Sequence, residues 1–386
     1  MNASTIPFHT FLLKTASRCN INCGYCYVYN QADDGWKSQP KLMSQQTVEQ
    51  AVVRIREHLR ANDKTDCSIV LHGGEPLMGG ARHLEMIVET LLRGLVDQGL
   101  EVIMGIQSNG MLFTKEIGDF CRRHHISLGV SLDGPPEIND RQRVDHRNRP
   151  TTARLEPRLR RLAEDYTDIF GGLLCVIDPT SPPEAVLDYL LTYDPPSIDF
   201  LFPLNNHDNP PPPAQYAASP APYGDWLVRV YDSWIKQDVR AGVRLFQSIM
   251  NMWLGLPTFV ESIGLLPVDL IVIETNGEVE AVDSLKAAFR GATRLGFNIH
   301  DHAFDEVARH AGVLARQSGA LSLCDTCRAC EIVEICGGGY IPHRYSAART
   351  FDNPSIYCRD LTRLINHIGA DMSAAIPVPQ ERALAG

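Results

Sequence analysis

No apolar run in this 386-residue sequence approaches the roughly 18 residues needed to span a bilayer, so no membrane-crossing segment is expected. Positive charge is in deficit. Lys and Arg number 36 against 46 Asp and Glu, a net charge of −10 with a pI near 5.7. That balance argues against a protein built mainly to bind nucleic acid or an anionic membrane. The stretch from Met1 to Thr10 lacks the basic-then-apolar order of a secretory signal. A soluble, cytoplasmic protein with neither nucleic acid nor membrane as partner is the expectation. Disorder is equally unsupported, since 44% of residues are apolar and 21% charged, an ordinary globular balance in a chain long enough for two domains.

An even cysteine count is also missing. There are 11 cysteines, and in a reducing compartment an odd set is a poor disulfide framework. Cys19, Cys23 and Cys26 crowd the N-terminal end, while Cys324, Cys327, Cys330, Cys336 and Cys358 crowd the C-terminal end. Cys67, Cys121 and Cys175 stand alone beside apolar residues and read as core. Clustered thiols read as metal or iron–sulfur ligands.

The first half alternates apolar strand-like runs with amphipathic helix patterns. Strands are expected at 8–16, 68–72, 101–107, 127–132, 171–177 and 198–202, apolar enough for parallel strands covered on both faces. Helices are expected at 44–60, with Ser44 as N-cap and Val48, Val52, Ile55 and Leu59 on one face, and at 82–95. Six such units predict an α/β fold, a partial (β/α)6 TIM-like barrel with its site at the strand C-termini. The Pro-rich segment 209–222 reads as a stiff surface connection rather than a polyproline ligand. A hairpin is expected at 270–282 around Asn276-Gly277. The expected domains are 1–240, the barrel, and 241–373, a smaller cysteine-rich domain, with a loose tail at 374–386.

The first thiols follow the opening strand as Cys19-Asn-Ile-Asn-Cys23-Gly-Tyr25-Cys26, a C-x3-C-x2-C spacing. Three thiolates on one loop can hold three irons of a [4Fe–4S] cube and leave the fourth open. Structural zinc fits less well, because no histidine stands nearby. The triplet, with an aromatic residue before its last cysteine, resembles the signature of radical S-adenosylmethionine (SAM) enzymes. In that superfamily the open iron chelates SAM, whose cleavage yields a radical that abstracts hydrogen from substrate. Gly73-Gly74-Glu75-Pro76 resembles the family motif whose backbone and Glu side chain bind the SAM amino group, with glycines admitting close approach. Gln107-Ser108-Asn109-Gly110 resembles a second family segment whose polar side chains turn toward SAM, and the resemblance places Ser131 and Arg143 on the SAM carboxylate. His72 reads as a barrel-lining histidine held by a backbone carbonyl.

For the C-terminal thiols, spacing alone leaves structural zinc and a second [4Fe–4S] cluster both open. Cys327-x2-Cys330-x5-Cys336, with Cys358 beyond, resembles the SPASM domain of peptide- and protein-modifying radical SAM enzymes. That family usually carries two auxiliary clusters. Here Tyr340 stands where the family has a further cysteine, and Val282 stands where it has another. One auxiliary cluster is therefore expected, on Cys327, Cys330, Cys336 and Cys358, with Cys324 a spare thiol or alternative ligand. In the related anaerobic sulfatase-maturating enzymes the Asp at the position of Asp283 accepts a proton. Burial near a cluster would raise its pKa toward that of a base, although a hairpin-end Asp capping a turn is the other reading.

The stretch from Gly337 to Tyr345, then Phe351 to Cys358, resembles a subgroup that modifies ribosomally made peptides. The implied function is a peptide maturase that removes a side-chain hydrogen, from a β-carbon, and closes a cross-link such as a cyclophane with net loss of two hydrogens. Its implied partners are a ribosomally made precursor peptide and a flavodoxin or ferredoxin electron donor. Only 18 residues precede Cys19, so no N-terminal peptide-recognition domain is expected. The alternative is a formylglycine-forming oxidase of the sulfatase-maturating type, against which the missing first-cluster ligands weigh; a third is tailoring of a small molecule. From a different class, a non-catalytic iron–sulfur carrier conflicts with the retained SAM-binding segments.

Overall fold

The computed structural model describes residues 5–237, 241–258 and 260–375. Six strands carry the first half: β1 (Thr10–Ala16), β2 (Asp66–Gly73), β3 (Glu101–Ser108), β4 (Ser127–Ser131), β5 (Phe170–Val176) and β6 (Ser197–Leu201). They pair in chain order and all in parallel, as their near-continuous apolar character requires. The helix Gln45–Ala61 begins where Ser44 Oγ accepts from Thr47 N at 3.1 Å, and it buries Val48, Val52, Ile55 and Leu59. Helix Gly80–Gly94 buries Leu84, Ile87 and Leu91 in the same way. The lone cysteines Cys67, Cys121 and Cys175 are buried in this core.

Four further strands extend the sheet at both ends. β7 (Gly242–Val243) adds to β6, and β8 (Leu270–Ile273) adds in parallel to β1. β9 (Glu278–Glu280) and β10 (Arg294–Asn298) continue antiparallel from β8. The β8–β9 turn closes where Gly277 N donates to Glu274 O at 2.9 Å, with Gly277 at φ +85°. One sheet results, ordered β10-β9-β8-β1-β2-β3-β4-β5-β6-β7, and it crosses the boundary expected at 240/241. β10 and β7 are edges that do not pair with each other, so the barrel is open.

The Pro-rich segment runs over the surface with Pro211 alone among its early prolines buried, and Pro222 opens helix Pro222–Trp234. Residues 374 and 375 end the last helix, Cys358–Ala375, and the rest of the expected tail lies outside the described residues. No helix among the described residues is long and apolar enough to cross a membrane.

Candidate active site

His72, Gln107, Ser131, Val176 and Leu201, from the C-terminal ends of β2 to β6, line one cavity of about 380 Å³, around which the sheet curls. Cys19, Cys23 and Cys26 line the same cavity. Their loop is fixed by backbone bonds: Cys26 N donates to Cys23 O at 3.0 Å, and Asn22 N and Gly24 N donate to Val144 O and Gln142 O. Asn109 Nδ2 donates to Asn20 Oδ1 at 2.8 Å and reaches Cys19 Sγ at 3.5 Å. Burial pushes the Cys19 thiol up to about 12 and the Cys23 thiol up to about 11, and raises Cys26 as well. Three thiolates are stable here only against positive charge, which iron supplies. Among the described residues no three His, Cys, Asp or Glu side chains close on a point as around a single ion. The spacing of the three thiols, with no histidine in the loop, suits a cube better than zinc.

The Gly73-Gly74 segment is held tightly, but against protein. A Cβ at Gly73, where φ is +152°, would lie 2.1 Å from Ala16 O, and one at Gly74 would lie 1.7 Å from Tyr29 Oη. Gly74 N and Glu75 N donate to Ala16 O and Arg18 O at 2.8 and 3.0 Å. These glycines admit the end of β1; both also line the cavity. Glu75 differs from expectation. Its side chain is fully buried and does not line the cavity. Its oxygens accept from Ser108 Oγ at 2.7 Å, Asn109 N at 2.8 Å and Leu77 N at 3.1 Å. Glu75 therefore braces the Ser108-Asn109 loop, and its charge bears on the Cys19 thiol.

Tyr25 and Arg143 both line the cavity and meet there. Arg143 Nη1 donates to Tyr25 Oη at 2.8 Å, and Tyr25 Oη donates to Asp133 Oδ2 at 2.6 Å. Asp133 also accepts from Val176 N at 3.0 Å. Ser131 Oγ accepts from Gln107 Nε2 at 3.1 Å on the same wall.

Asp283 faces the cavity from the turn after β9. Strand alternation turns Lys14 of β1 inward, and the parallel register sets it beside His72 of β2. Lys14 Nζ contacts Asp283 Oδ2 and His72 Nδ1, the latter at 3.0 Å. Tyr27 Oη donates to the same Asp283 oxygen at 2.8 Å. Burial would raise the Asp283 carboxyl, but the Lys14 ammonium, His72 and these hydrogen bonds outweigh it and hold it well below its ordinary value. The expected upward shift toward a base is thus reversed. His72, lowered to about 4 by burial and by Lys14, is neutral and held by an ammonium, not a backbone carbonyl. Lys14 and Tyr27 were missed; the available signal was a lysine as the one charged residue in the strand run Thr10–Ala16. Asp199 was missed too. It lines the cavity, and burial pushes its carboxyl up to about 6, with Arg244 pulling part of the way back.

The five C-terminal thiols gather around three short helical segments, Asp325–Arg328, Val333–Cys336 and the start of Cys358–Ala375. Cys324, Cys327 and Cys336 are buried, and Cys330 and Cys358 are exposed. The charges of Cys324, Cys336 and Cys358 all bear on Cys327, which places the set within mutual reach. Gly337, Gly338 and Gly339 follow at φ +61°, +75° and +69°, and Gly339 N donates to Cys336 O at 2.9 Å. At the two substituted positions, Val282 is buried and Tyr340 lines the cavity, donating to Ser284 Oγ at 2.7 Å.

Residues 13–179 match the model of the radical SAM superfamily. The chain is 24% identical to a serine-type anaerobic sulfatase-maturating enzyme of Bacteroides thetaiotaomicron, over 95% of this chain and 90% of that one. It is 24% identical to a cysteine-type anaerobic sulfatase-maturating enzyme of Clostridium perfringens, over 86% of this chain and 89% of that one. The fold matches native anSMEcpe with bound AdoMet at a TM-score of 0.80, with 23% identity over 95% of this chain and 98% of that one; the same protein was also solved with a peptide. These full-length likenesses overturn the expected cross-linking, cyclophane-forming activity. The relatives are sulfatase-maturating enzymes, so the motifs around Gly337 and Tyr357 do not carry the function inferred from them. The segment 13–179 thus carries the likeness to the radical SAM superfamily, and the chain is an oxidoreductase-type enzyme whose cofactors are SAM and [4Fe–4S] clusters.

Proposed function

We propose that the chain oxidises a peptidyl serine or cysteine to formylglycine, the sulfatase-maturating chemistry. Cys19, Cys23 and Cys26 would hold the SAM-binding cluster, and Cys327, Cys330, Cys336 and Cys358 an auxiliary one. When bound, SAM and its cluster supply a radical that removes one hydrogen atom from the substrate β-carbon. Arg143, charge-balanced by Asp133, offers its remaining N–H groups to a carboxylate at that end of the cavity. Asn109 and Glu75 fix the loop opposite.

The observation that carries the reading is Asp283. Its carboxylate is anionic at any working pH, because Lys14 and Tyr27 hold it so. It is therefore always available to accept a hydrogen bond from the substrate hydroxyl or thiol. A carboxylate held this low takes the proton only as the β-carbon radical gives up its electron, which makes that O–H or S–H strongly acidic. The order matters, since it protects the unreacted side chain from deprotonation. Loss of one hydrogen atom, one proton and one electron, the last to an oxidised [4Fe–4S] cluster, leaves the aldehyde from serine; from cysteine it leaves a thioaldehyde, which water converts to formylglycine with release of hydrogen sulfide. The full-length likeness to sulfatase maturases, one of them solved with a peptide, supports a peptide as substrate.

Anaerobic incubation of the reconstituted protein with SAM, a reductant and a sulfatase-derived serine peptide tests it. The expected product has lost two hydrogens and reacts with an aldehyde probe; Asp283→Asn should still cleave SAM and yield little aldehyde. SAM cleavage with serine and cysteine peptides both unchanged would refute the reading.

A further inference from the structure

Arg344 ends the turn Ile341–Arg344 and is buried, with 5% of its surface exposed. Among the described residues its guanidinium has neither an ion pair nor a hydrogen bond, and its Nε is fully enclosed without a partner. A buried cation without a counter-charge is among the least favourable arrangements in a protein. The nearby acids are engaged elsewhere. Asp352 pairs with Arg349 at 3.0 Å, and Glu261 pairs with Arg316.

What faces Arg344 is sulfur. A Cβ built on Gly338 would lie 3.3 Å from Arg344 Nη1 and 3.7 Å from Cys327 Sγ, so guanidinium and thiol flank the same glycine. The charges of Cys327 and Cys324 favour the guanidinium cation, while burial and Arg316 oppose it. Gly338 lies between them at φ +75°, a conformation side chains rarely adopt, and an added Cβ there would first meet Leu323 Cδ2 at 2.8 Å.

We propose that Arg344 is the counter-charge of the auxiliary [4Fe–4S] cluster, a positioning residue that stabilises the more negative, reduced form and so raises its reduction potential. A cluster wrapped by four thiolates is anionic and gains one further negative charge on reduction. A fixed cation at its edge therefore favours the reduced state. The inference rests on the auxiliary cluster and not on the substrate, so failure to oxidise a serine peptide would leave it standing.

The test is an anaerobic redox titration of the reconstituted full chain followed by electron paramagnetic resonance, in a background with Cys19, Cys23 and Cys26 replaced by Ala. Only the auxiliary cluster then reports. Arg344→Gln is expected to shift the reduction equilibrium at least tenfold toward the oxidised form, about 59 mV lower for a one-electron couple. Arg344→Lys keeps the charge and should stay within about threefold of the parent. A loaded Arg344→Gln cluster that titrates within threefold of the parent overturns the proposal. If Arg344→Gln fails to hold its cluster, Arg344→Lys decides: a loaded cluster near the parent potential supports the role of charge, and loss of the cluster there too overturns it.

Discussion

Replacing Lys14 by Met removes the ammonium on which the candidate base depends. The Lys14 and Asp283 side chains are only 4% and 9% exposed, so water does little to screen their pairing. Without Lys14, burial becomes the dominant influence on Asp283 and drives its carboxyl above the ordinary 3.8. Breaking a buried pair by removing one partner destabilises a protein by about 3–5 kcal/mol, because the other charge is stranded. At roughly 2 °C per kcal/mol for a chain of this size, the expected fall in melting temperature is about 6–10 °C. Lys14→Met/Asp283→Asn removes both charges and should recover most of that loss. Anaerobic thermal melts of the reconstituted proteins measure both. The pH profile supplies a second readout. Wild-type peptide oxidation should not be limited by Asp283 ionisation near neutrality, whereas the Lys14→Met rate should climb with pH as the carboxyl ionises. His72, no longer held neutral by Lys14, can charge against Asp283 at low pH, so the stability deficit should narrow there. A Lys14→Met melt within about 2 °C of wild type, with a double variant no better, would show that the pair does not act as described.

The strand–helix alternation was legible because six parallel strands covered on both faces must be nearly all apolar, and helices over them must carry a stripe. The Cys19–Cys26 loop was legible because ligand chemistry fixes both residue type and spacing. Of the later strands, β8 and β9 were legible as a hairpin around Asn276-Gly277, whereas β7 and β10 were not. β7 has two residues and β10 five, with a ladder that shifts between Arg294 and Phe297, so neither leaves a periodic signal. That β8 pairs with β1 is a long-range fact, which no local window contains.

Charge was misread for the same reason. Glu75 sits in a glycine-rich turn and looks free to meet a ligand, yet three donors from the 77 and 108–109 segments surround it. Asp283 alone reads as a buried acid and hence a raised one. Its sign is set by Lys14, 269 residues earlier in the chain. A sequence shows which groups can ionise; which way each one shifts is decided by partners that only the fold supplies.

The C-terminal thiols yield a test by iron content. Cys336→Ala should lose about half the bound iron, because its thiol is buried within reach of Cys327, Cys330 and Cys358, whereas Cys324→Ala should keep it if that thiol is spare. Equal iron loss in the two would make Cys324 a ligand. Asp199→Asn tests the electrostatics of the opposite cavity wall. Burial holds the Asp199 carboxyl at about 6 against an ordinary 3.8, even with Arg244 at 3.5 Å. The folded chain thus binds this proton more tightly than the unfolded chain, so the group's contribution is fullest below about pH 4 and is lost as pH rises through about 6. Asn cannot ionise and escapes that loss. Two units at 1.36 kcal/mol each give an upper limit near 3 kcal/mol, reduced by whatever Arg244 loses as its partner disappears. Melts should therefore show Asp199→Asn gaining on wild type from pH 5 to pH 8; a difference that stays constant across that range would mean the carboxyl is not desolvated as the cavity wall implies.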